Sequence, residues 1–96
     1  MTEGDTAHDP GWCERFGDSL AGGAGLAASP LTPKLQARLL SIARDIAHGT
    51  ERKNAPVCAF IAGRYVEARC AQGVDVGTAL SEVAEAAARL LRDTTL

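Results

Sequence analysis

The sequence predicts an all-α protein: a compact four-helix bundle-like single domain with a flexible N-terminal tail. Three observations predict this class. Apolar residues make up 46% of the 96 residues but aromatic residues only 4%, and small aliphatic side chains suit closely packed helices. Apolar residues recur every three or four positions in four segments, which is the spacing of one helix face. No segment shows the regular alternation of a strand.

The N-terminal part is expected to combine a tail with a short helix. Residues 1–8, MTEGDTAH, offer nothing to bury and are expected to be a disordered tail, with the domain spanning residues 9–93. The first helix is predicted at about residues 10–20, because Asp9 and Pro10 suit a helix start. Its apolar stripe is Trp12, Phe16 and Leu20, and the following glycines are expected to end it.

The second and fourth helices have clear boundary signals. The second is predicted at residues 33–48, since Thr32 and Pro33 repeat the cap-plus-proline start and Gly49 follows the end. The fourth is predicted at residues 76–92, with Asp75 as its N-cap. Its charged residues are expected to form a solvated face: Glu82, Glu85, Arg89 and Arg92.

The third helix is predicted at residues 55–72, with Asn54 as its N-cap and Gly73 at its end. It is apolar on most sides and is therefore expected to be the central helix. The side chains expected in its core face are Val57, Phe60, Ile61, Tyr65 and Ala68. Arg64 falls on the same face, where it must extend to the edge of the core, pair with a carboxylate or point into a groove.

Charge and cysteine content exclude several classes of protein. A net charge of -2 argues against a general nucleic-acid binder. Three cysteines without a C-x-x-C pair indicate neither a disulfide framework nor a zinc site. No apolar run approaches the roughly 20 residues that span a bilayer, and the acidic start lacks the features of a signal peptide. A cytoplasmic protein with no membrane partner is expected, and its oligomeric state is not predicted.

The charge is unevenly distributed along the chain. Residues 1–33 contain one basic and five acidic residues, whereas residues 34–69 contain seven basic and three acidic residues. Two explanations stay open. The acidic ends could fold against the basic centre, or the centre could bind an anionic ligand.

The loop between the second and third helices, within AHGTERKNAPVCAF at residues 47–60, is the candidate binding site. Cationic side chains and the free amides at a helix start together suit a phosphate group. The alternative is an ordinary solvated loop, with His48 interacting with the last carbonyls of the second helix. The candidate ligand-binding or partner-binding residues are Arg44, His48, Arg52, Lys53, Asn54 and Arg64.

Catalysis has little support in the sequence. A Cys58 nucleophile with His48 as base lacks a third orienting group, and the chain has no phosphate-binding loop, no zinc-protease motif and no paired carboxylates in an apolar setting. We therefore expect a protein that is not an enzyme, with no catalytic residues, no metal site and no intrinsic cofactor.

Residues 43–66, ARDIAHGTERKNAPVCAFIAGRYV, resemble a small bacterial helical family of unknown biochemical function. Its members have a helix ending in A-R-D-[VI]-A-H-G, a charged turn, and a helix that starts with A-P and contains F-[LI]-A-G. The Trp12 segment and the L-T-P-K-L start are similar too, so the resemblance spans about residues 10–92. The matching residues are Arg44, Asp45, His48, Gly49, Arg52, Ala55, Pro56, Phe60 and Gly63.

That family occurs beside, or fused to, molybdenum-cofactor guanylyltransferases and near formate dehydrogenase accessory genes, although this chain lacks the nucleotidyltransferase domain. The resemblance implies an accessory or adaptor role in the synthesis or delivery of molybdopterin guanine dinucleotide, and it implies no reaction. It also implies a guanylyltransferase or a cofactor-inserting factor as partner, and a phosphate-bearing pterin or nucleotide as the ligand of the loop. The alternative is a stand-alone protein-protein interaction or regulatory domain unrelated to the cofactor.

Overall fold

The computed structural model describes residues 11–26 and 31–94. These residues form four α-helices and no strand, which confirms the predicted class. The helices are α1, Trp12–Ala24; α2, Pro33–Gly49; α3, Asn54–Ala71; and α4, Val76–Thr94. The chain divides between Thr32 and Pro33 into two compact units, which are described separately. The expected tail and the Asp9–Pro10 start lie outside the described residues, and the single-domain organisation stays a prediction.

Helix α1 is longer at its C-terminal end than the sequence suggested. It continues through Gly22 and Gly23, and it ends only where Gly25 takes a left-handed φ of 71°. There the amide of Leu26 donates to the carbonyl of Ala21 at 2.8 Å. Glycine inside a helix is disfavoured but tolerated, whereas a left-handed residue ends the hydrogen-bonding pattern. The expected end near residue 20 was therefore too early.

The apolar stripe of α1 is exposed. The rings of Trp12 and Phe16 stack with their centroids 5.4 Å apart and an interplanar angle of 13°. Neither ring is buried, and Leu20 on the same stripe is exposed as well. Helix α1 therefore presents an aromatic surface and contains no buried residue.

The second unit consists of α2, α3 and α4, and each of these helices packs against the other two. The buried apolar residues of this unit are few, and two of the four are alanines: Ile42, Ala62, Ala79 and Leu80. Helix α3 contacts both α2 and α4, and the expectation that it is the central helix stays a prediction. The two alanines allow the helices to approach closely where they lie.

The ends of α3 and α4 follow the local signals. Gly73 takes a φ of 94° just after α3, and the amide of Val74 donates to the carbonyl of Arg69 at 3.1 Å. Asp75 caps α4 as predicted: one carboxylate oxygen accepts from the Thr78 amide at 3.1 Å and the other from the Thr78 hydroxyl at 2.6 Å. These hydrogen bonds hold the pKa of Asp75 below its ordinary value.

Helix α3 is rotated relative to the predicted orientation. Phe60 is 71% exposed, Val57 59% and Ile61 58%, so the expected core face is instead directed to solvent. The inward residues are mostly small, and they include Ala55, Cys58, Ala59, Ala62 and Val66. Small residues permit the close contact with α2 and α4, whereas the large apolar residues would hold the helices apart. Arg64 is exposed on the outward side, so its side chain does not have to extend from the core to reach water.

Gly49, at the end of α2, marks a close approach to α4. A methyl group built on Gly49 would lie 2.6 Å from Cδ2 of Leu91, well inside van der Waals contact. The glycine of the A-H-G sequence is therefore used for packing between helices, in addition to ending α2.

Candidate functional site

The predicted loop is short and internally hydrogen-bonded. The Thr50 hydroxyl donates to the carbonyl of Ile46 at 2.6 Å, and the Asn54 side-chain amide donates to the Thr50 hydroxyl at 3.1 Å. Lys53, in a helical conformation, is the residue that precedes α3, and it makes no side-chain cap. Asn54 is therefore the first residue of the helix and not its N-cap, which corrects the sequence expectation.

The first amides of α3 are not available to a phosphate group. The amide of Asn54 donates to the carbonyl of Glu51 at 2.9 Å, and that of Ala55 donates to the carbonyl of Arg52 at 3.1 Å. Pro56 has no N–H. A phosphate site at this loop would therefore depend on the cationic side chains alone, since the helix amides that usually bind anions are already bonded or missing.

The candidate cations lie in two separate places. Arg44, His48, Arg52 and Lys53 are all exposed at or near the loop, and Nζ of Lys53 lies 3.3 Å from Oε1 of Glu51. Arg64 lies ten residues into α3, about 15 Å farther along the helix axis, so it does not belong to the loop cluster. The phosphate site stays a prediction. Of the two cations within the loop, Arg52 and Lys53, the second already has Glu51 as an acidic neighbour.

The second unit carries an apolar groove that was not predicted from the sequence. It has a volume of about 510 Å³ and is lined by all three helices. Most of its lining is apolar, contributed by residues such as Leu39, Ile46, Ile61, Ala62, Val83 and Leu90. Cavities of this size and character are typical of ligand or partner sites.

Four polar side chains at one side of the groove are connected by hydrogen bonds. Arg69 binds Glu82 through two hydrogen bonds of 3.0 Å, from Nε to Oε1 and from Nη2 to Oε2. The Tyr65 hydroxyl donates to the same Oε1 at 2.7 Å, and Nη1 of Arg69 donates to the side-chain oxygen of Gln72 at 2.7 Å. The cluster joins α3 to α4, so Glu82 is not part of the solvated outer face that the sequence suggested.

The cluster changes the ionisation of its members. The hydrogen bonds from Arg69 and from Tyr65 hold the pKa of Glu82 below its ordinary value. The bond to Glu82 raises the pKa of the Tyr65 hydroxyl. The Arg69 and Glu82 side chains are 32% and 33% exposed, so a charged, geometrically defined pair lies at the rim of the apolar groove.

The groove and this cluster could not be predicted from the sequence, for the same reason. Arg69 and Glu82 are thirteen residues apart on different helices, and the groove depends on how three helices are rotated. One signal in the sequence could have indicated the rotation of α3. Along this helix, large apolar residues alternate with alanines and cysteines, and most of these smaller residues face inward.

The described residues offer no group of three or more histidine, cysteine or acidic side chains that could hold a metal ion. Cys13, Cys58 and Cys70 are free thiols, and Cys58 lines the groove. In residues 11–26 and 31–94, no helix combines the length and the apolarity needed to cross a membrane.

A family model described as a domain of unknown function, DUF6457, matches residues 5–95. The chain belongs to this DUF6457 family. The match covers all four helices and both units. Neither the search of curated proteins nor the search of solved structures returned a match.

Proposed function

We propose that this DUF6457 domain is a non-catalytic accessory or adaptor domain that acts by binding a partner protein through the apolar groove. The observation that carries the proposal is the groove itself: about 510 Å³, lined by three helices and open at the surface of a unit with a very small core. Apolar surface that stays in water is unfavourable, and on soluble proteins it commonly marks an interaction site.

The groove fits an amphipathic helix of the partner. Its lining residues recur at Leu39, Ile42 and Ile46 on α2 and at Val83, Ala87 and Leu90 on α4. Each series spans about two helical turns, roughly 10 Å. A helix presents apolar side chains over that length at i, i+3 or i+4, and i+7, which is the usual pattern of recognition in a helical groove.

Charges at the groove would orient that helix. Glu85 and Arg89 line the groove, are exposed and lie four residues apart on α4. A partner helix that carries a basic and an acidic residue one turn apart would complement them in one direction only. Such charges contribute more to orientation and specificity than to affinity.

The resemblance of residues 43–66 supports the identity of the partner within this proposal: a molybdenum-cofactor guanylyltransferase or a cofactor-inserting factor, in the cytoplasm. The competing proposal is an interaction or regulatory domain with no link to the cofactor. Deletion of the gene distinguishes the two. Loss of molybdenum-enzyme activity in the deletion strain is expected from the first, and unchanged activity of every molybdenum enzyme would favour the second.

Two leucines provide a matched test of the groove in that strain. Leu90 lines the groove and is 66% exposed, whereas Leu40 is 69% exposed and is not among the groove-lining residues. Complementation with Leu40→Glu should restore molybdenum-enzyme activity, and complementation with Leu90→Glu should not. Equal restoration by both variants, at equal protein levels, would exclude the groove as the functional surface.

A phosphate-bearing ligand at the loop is a separate part of the proposal, supported by the exposed cations of Arg52 and Lys53. We expect pyrophosphate, GTP or a pterin phosphate to shift the NMR signals of residues 48–57, and added salt to weaken the effect because exposed charges are screened. Alanine at both positions should abolish the shifts without loss of the fold. Unchanged signals at millimolar ligand would leave the loop as an ordinary solvated turn.

A further inference from the structure

We infer that two copies of the chain pair through the outer face of α3, with the two α3 helices antiparallel. This outer face is defined by Val57, Phe60, Gly63, Arg64, Glu67 and Ala68, all of which are exposed. None of these residues lines the groove, so the inference is independent of the proposed function. It concerns a second surface on the opposite side of the same helix.

The composition of the outer face is unusual for a helix surface. A surface helix normally directs its apolar residues inward and its polar residues to water. In α3 the inward positions are mostly small, whereas Phe60 is 71% exposed and Val57 59%. Only Arg64 and Glu67 supply charge on this face. An exposed phenylalanine and valine one turn apart form an apolar patch that a partner surface would cover.

The two charges point to a second copy as the occupant. Arg64 and Glu67 lie three residues apart, on the same face. In an antiparallel pair with its twofold axis between these positions, each Arg64 faces Glu67 of the partner subunit, so the face is complementary to itself. A twofold interface needs this kind of self-complementarity. A parallel arrangement in the same register would instead bring like charges together.

Small residues in the same register make room for the large ones. The register that pairs Arg64 with Glu67 also pairs Phe60 with Ala71 of the partner subunit, and Gly63 with Ala68 of the partner subunit. Ala71 lies just beyond the outer face as defined, at the end of α3, and is exposed as well. The bulky ring of Phe60 therefore meets a methyl group rather than another large side chain, which is how packed helices interdigitate.

Gly63 gives a second, independent indication. Glycine in the middle of a helix is disfavoured relative to alanine, and among the described residues a methyl group added at Gly63 would meet no atom within 4 Å apart from its own stretch of helix. The fold itself therefore gives no reason for the glycine. Close approach of a partner backbone at this position would give one.

The interface is small, so the dimer should be weak. The stripe from Val57 to Ala71 is about 21 Å long on one helix, and a single pair of helices buries less than the roughly 800 Å² per partner of a standard interface. We expect a dissociation constant on the order of 10 µM.

Sedimentation equilibrium of the full chain, from low to high micromolar concentration, tests the inference. The wild-type chain should dimerise, and Arg64→Glu or Glu67→Arg alone should weaken dimerisation about tenfold or more by opposing like charges. The double variant Arg64→Glu/Glu67→Arg should restore it. Lys34→Glu, an exposed charge reversal in the first turn of α2, should behave as wild type, and circular dichroism should show equal helix content throughout.

Three outcomes would overturn the inference. One is a wild-type chain that stays monomeric at high micromolar concentration. Another is a dimer that is insensitive to either single charge reversal, which would mean that the chains pair elsewhere. The third is a double variant that fails to dimerise, which would exclude the antiparallel register. In the first case, the Arg64→Glu variant can also be compared with the wild-type chain in binding to the guanylyltransferase. Weaker binding by the variant would assign the face to a different partner protein.

Discussion

At the scale of single residues, two glycines of residues 43–66 have different surroundings. Gly49 leaves no room for a methyl group, because Leu91 of α4 lies against it, whereas Gly63 stands in open space on α3. The sequence places Gly49 at a helix end and Gly63 inside a helix, but nothing local indicates whether another helix approaches either of them. The difference arises from the position of α4, which is set by residues far along the chain.

A pair of alanine substitutions tests this difference. Gly63→Ala should stabilise the monomer by about 0.5 to 1 kcal/mol, because alanine has the higher helix propensity. Gly49→Ala should destabilise it by about 1 kcal/mol, since Leu91 must move to accommodate the methyl group. Urea unfolding at low protein concentration gives both values. Equal effects of the two substitutions would contradict the close approach of α2 and α4.

The exposure of Phe60 gives a second prediction at this scale. The apolar pattern of the third helix suggests that Phe60 is a core residue. For a core phenylalanine, truncation to alanine would lower the free energy of unfolding by about 3 to 5 kcal/mol. Because Phe60 is 71% exposed, we expect Phe60→Ala to change the free energy of unfolding by less than about 1 kcal/mol. Leu80→Ala is the control: Leu80 is 4% exposed and its truncation should cost about 2 to 5 kcal/mol. Comparable losses would place Phe60 in the core.

At the scale of elements, helix existence and most boundaries could be predicted from sequence, because the signals are local. Pro33, Gly49, Gly73 and Asp75 all act within one turn of a helix end, and the helices begin or end where these residues indicate. The end of α1 was misplaced because several glycines compete for it, and only Gly25 has the left-handed conformation.

Helix rotation could not be predicted in the same way. Large apolar residues on α3 were assigned to the core by their hydrophobicity, although small residues occupy it. Which side of an apolar helix faces inward depends on how closely its neighbours approach, and this is a property of the whole unit. The same limit explains why the groove and the pairing of Arg69 with Glu82 were missed.

The Asp75 cap gives a prediction for α4. Asp75→Ala removes both hydrogen bonds to Thr78 and should lower the midpoint of thermal unfolding, whereas Asp75→Ser, another good N-cap, should restore most of it. Thermal unfolding followed by circular dichroism measures both variants. Identical midpoints for the alanine and serine variants would mean that the cap does not stabilise the helix.

At the scale of the whole molecule, the cluster of Tyr65, Arg69 and Glu82 links α3 to α4 and makes stability depend on pH. The pKa of Glu82 is lowered in the folded chain from its ordinary value near 4.5. Its carboxylate therefore stabilises the fold above that value, and the stabilisation is lost as the pH falls through the lowered pKa.

Glu82→Gln tests this dependence. The variant should be less stable than wild type at neutral pH, and the difference between them should shrink as the pH falls below about 4.5. Urea unfolding at a series of pH values provides the comparison, and Tyr65→Phe, which keeps the charge pair, should have a smaller effect at neutral pH. The pKa of Asp75 is lowered as well, so some acid dependence remains in the Glu82 variant. A constant difference at all pH values would contradict the assignment.

For the whole molecule, we propose that the groove of the three-helix unit binds a partner of the molybdenum-cofactor pathway. Calorimetric titration of a purified guanylyltransferase from the same cell with the full chain tests it most directly. We predict saturable binding that Leu40→Glu leaves unchanged and that Leu90→Glu weakens at least about tenfold, because a buried, unpaired carboxylate is costly. An absence of binding by the wild-type chain, or equal affinities for the two variants, would contradict the claim.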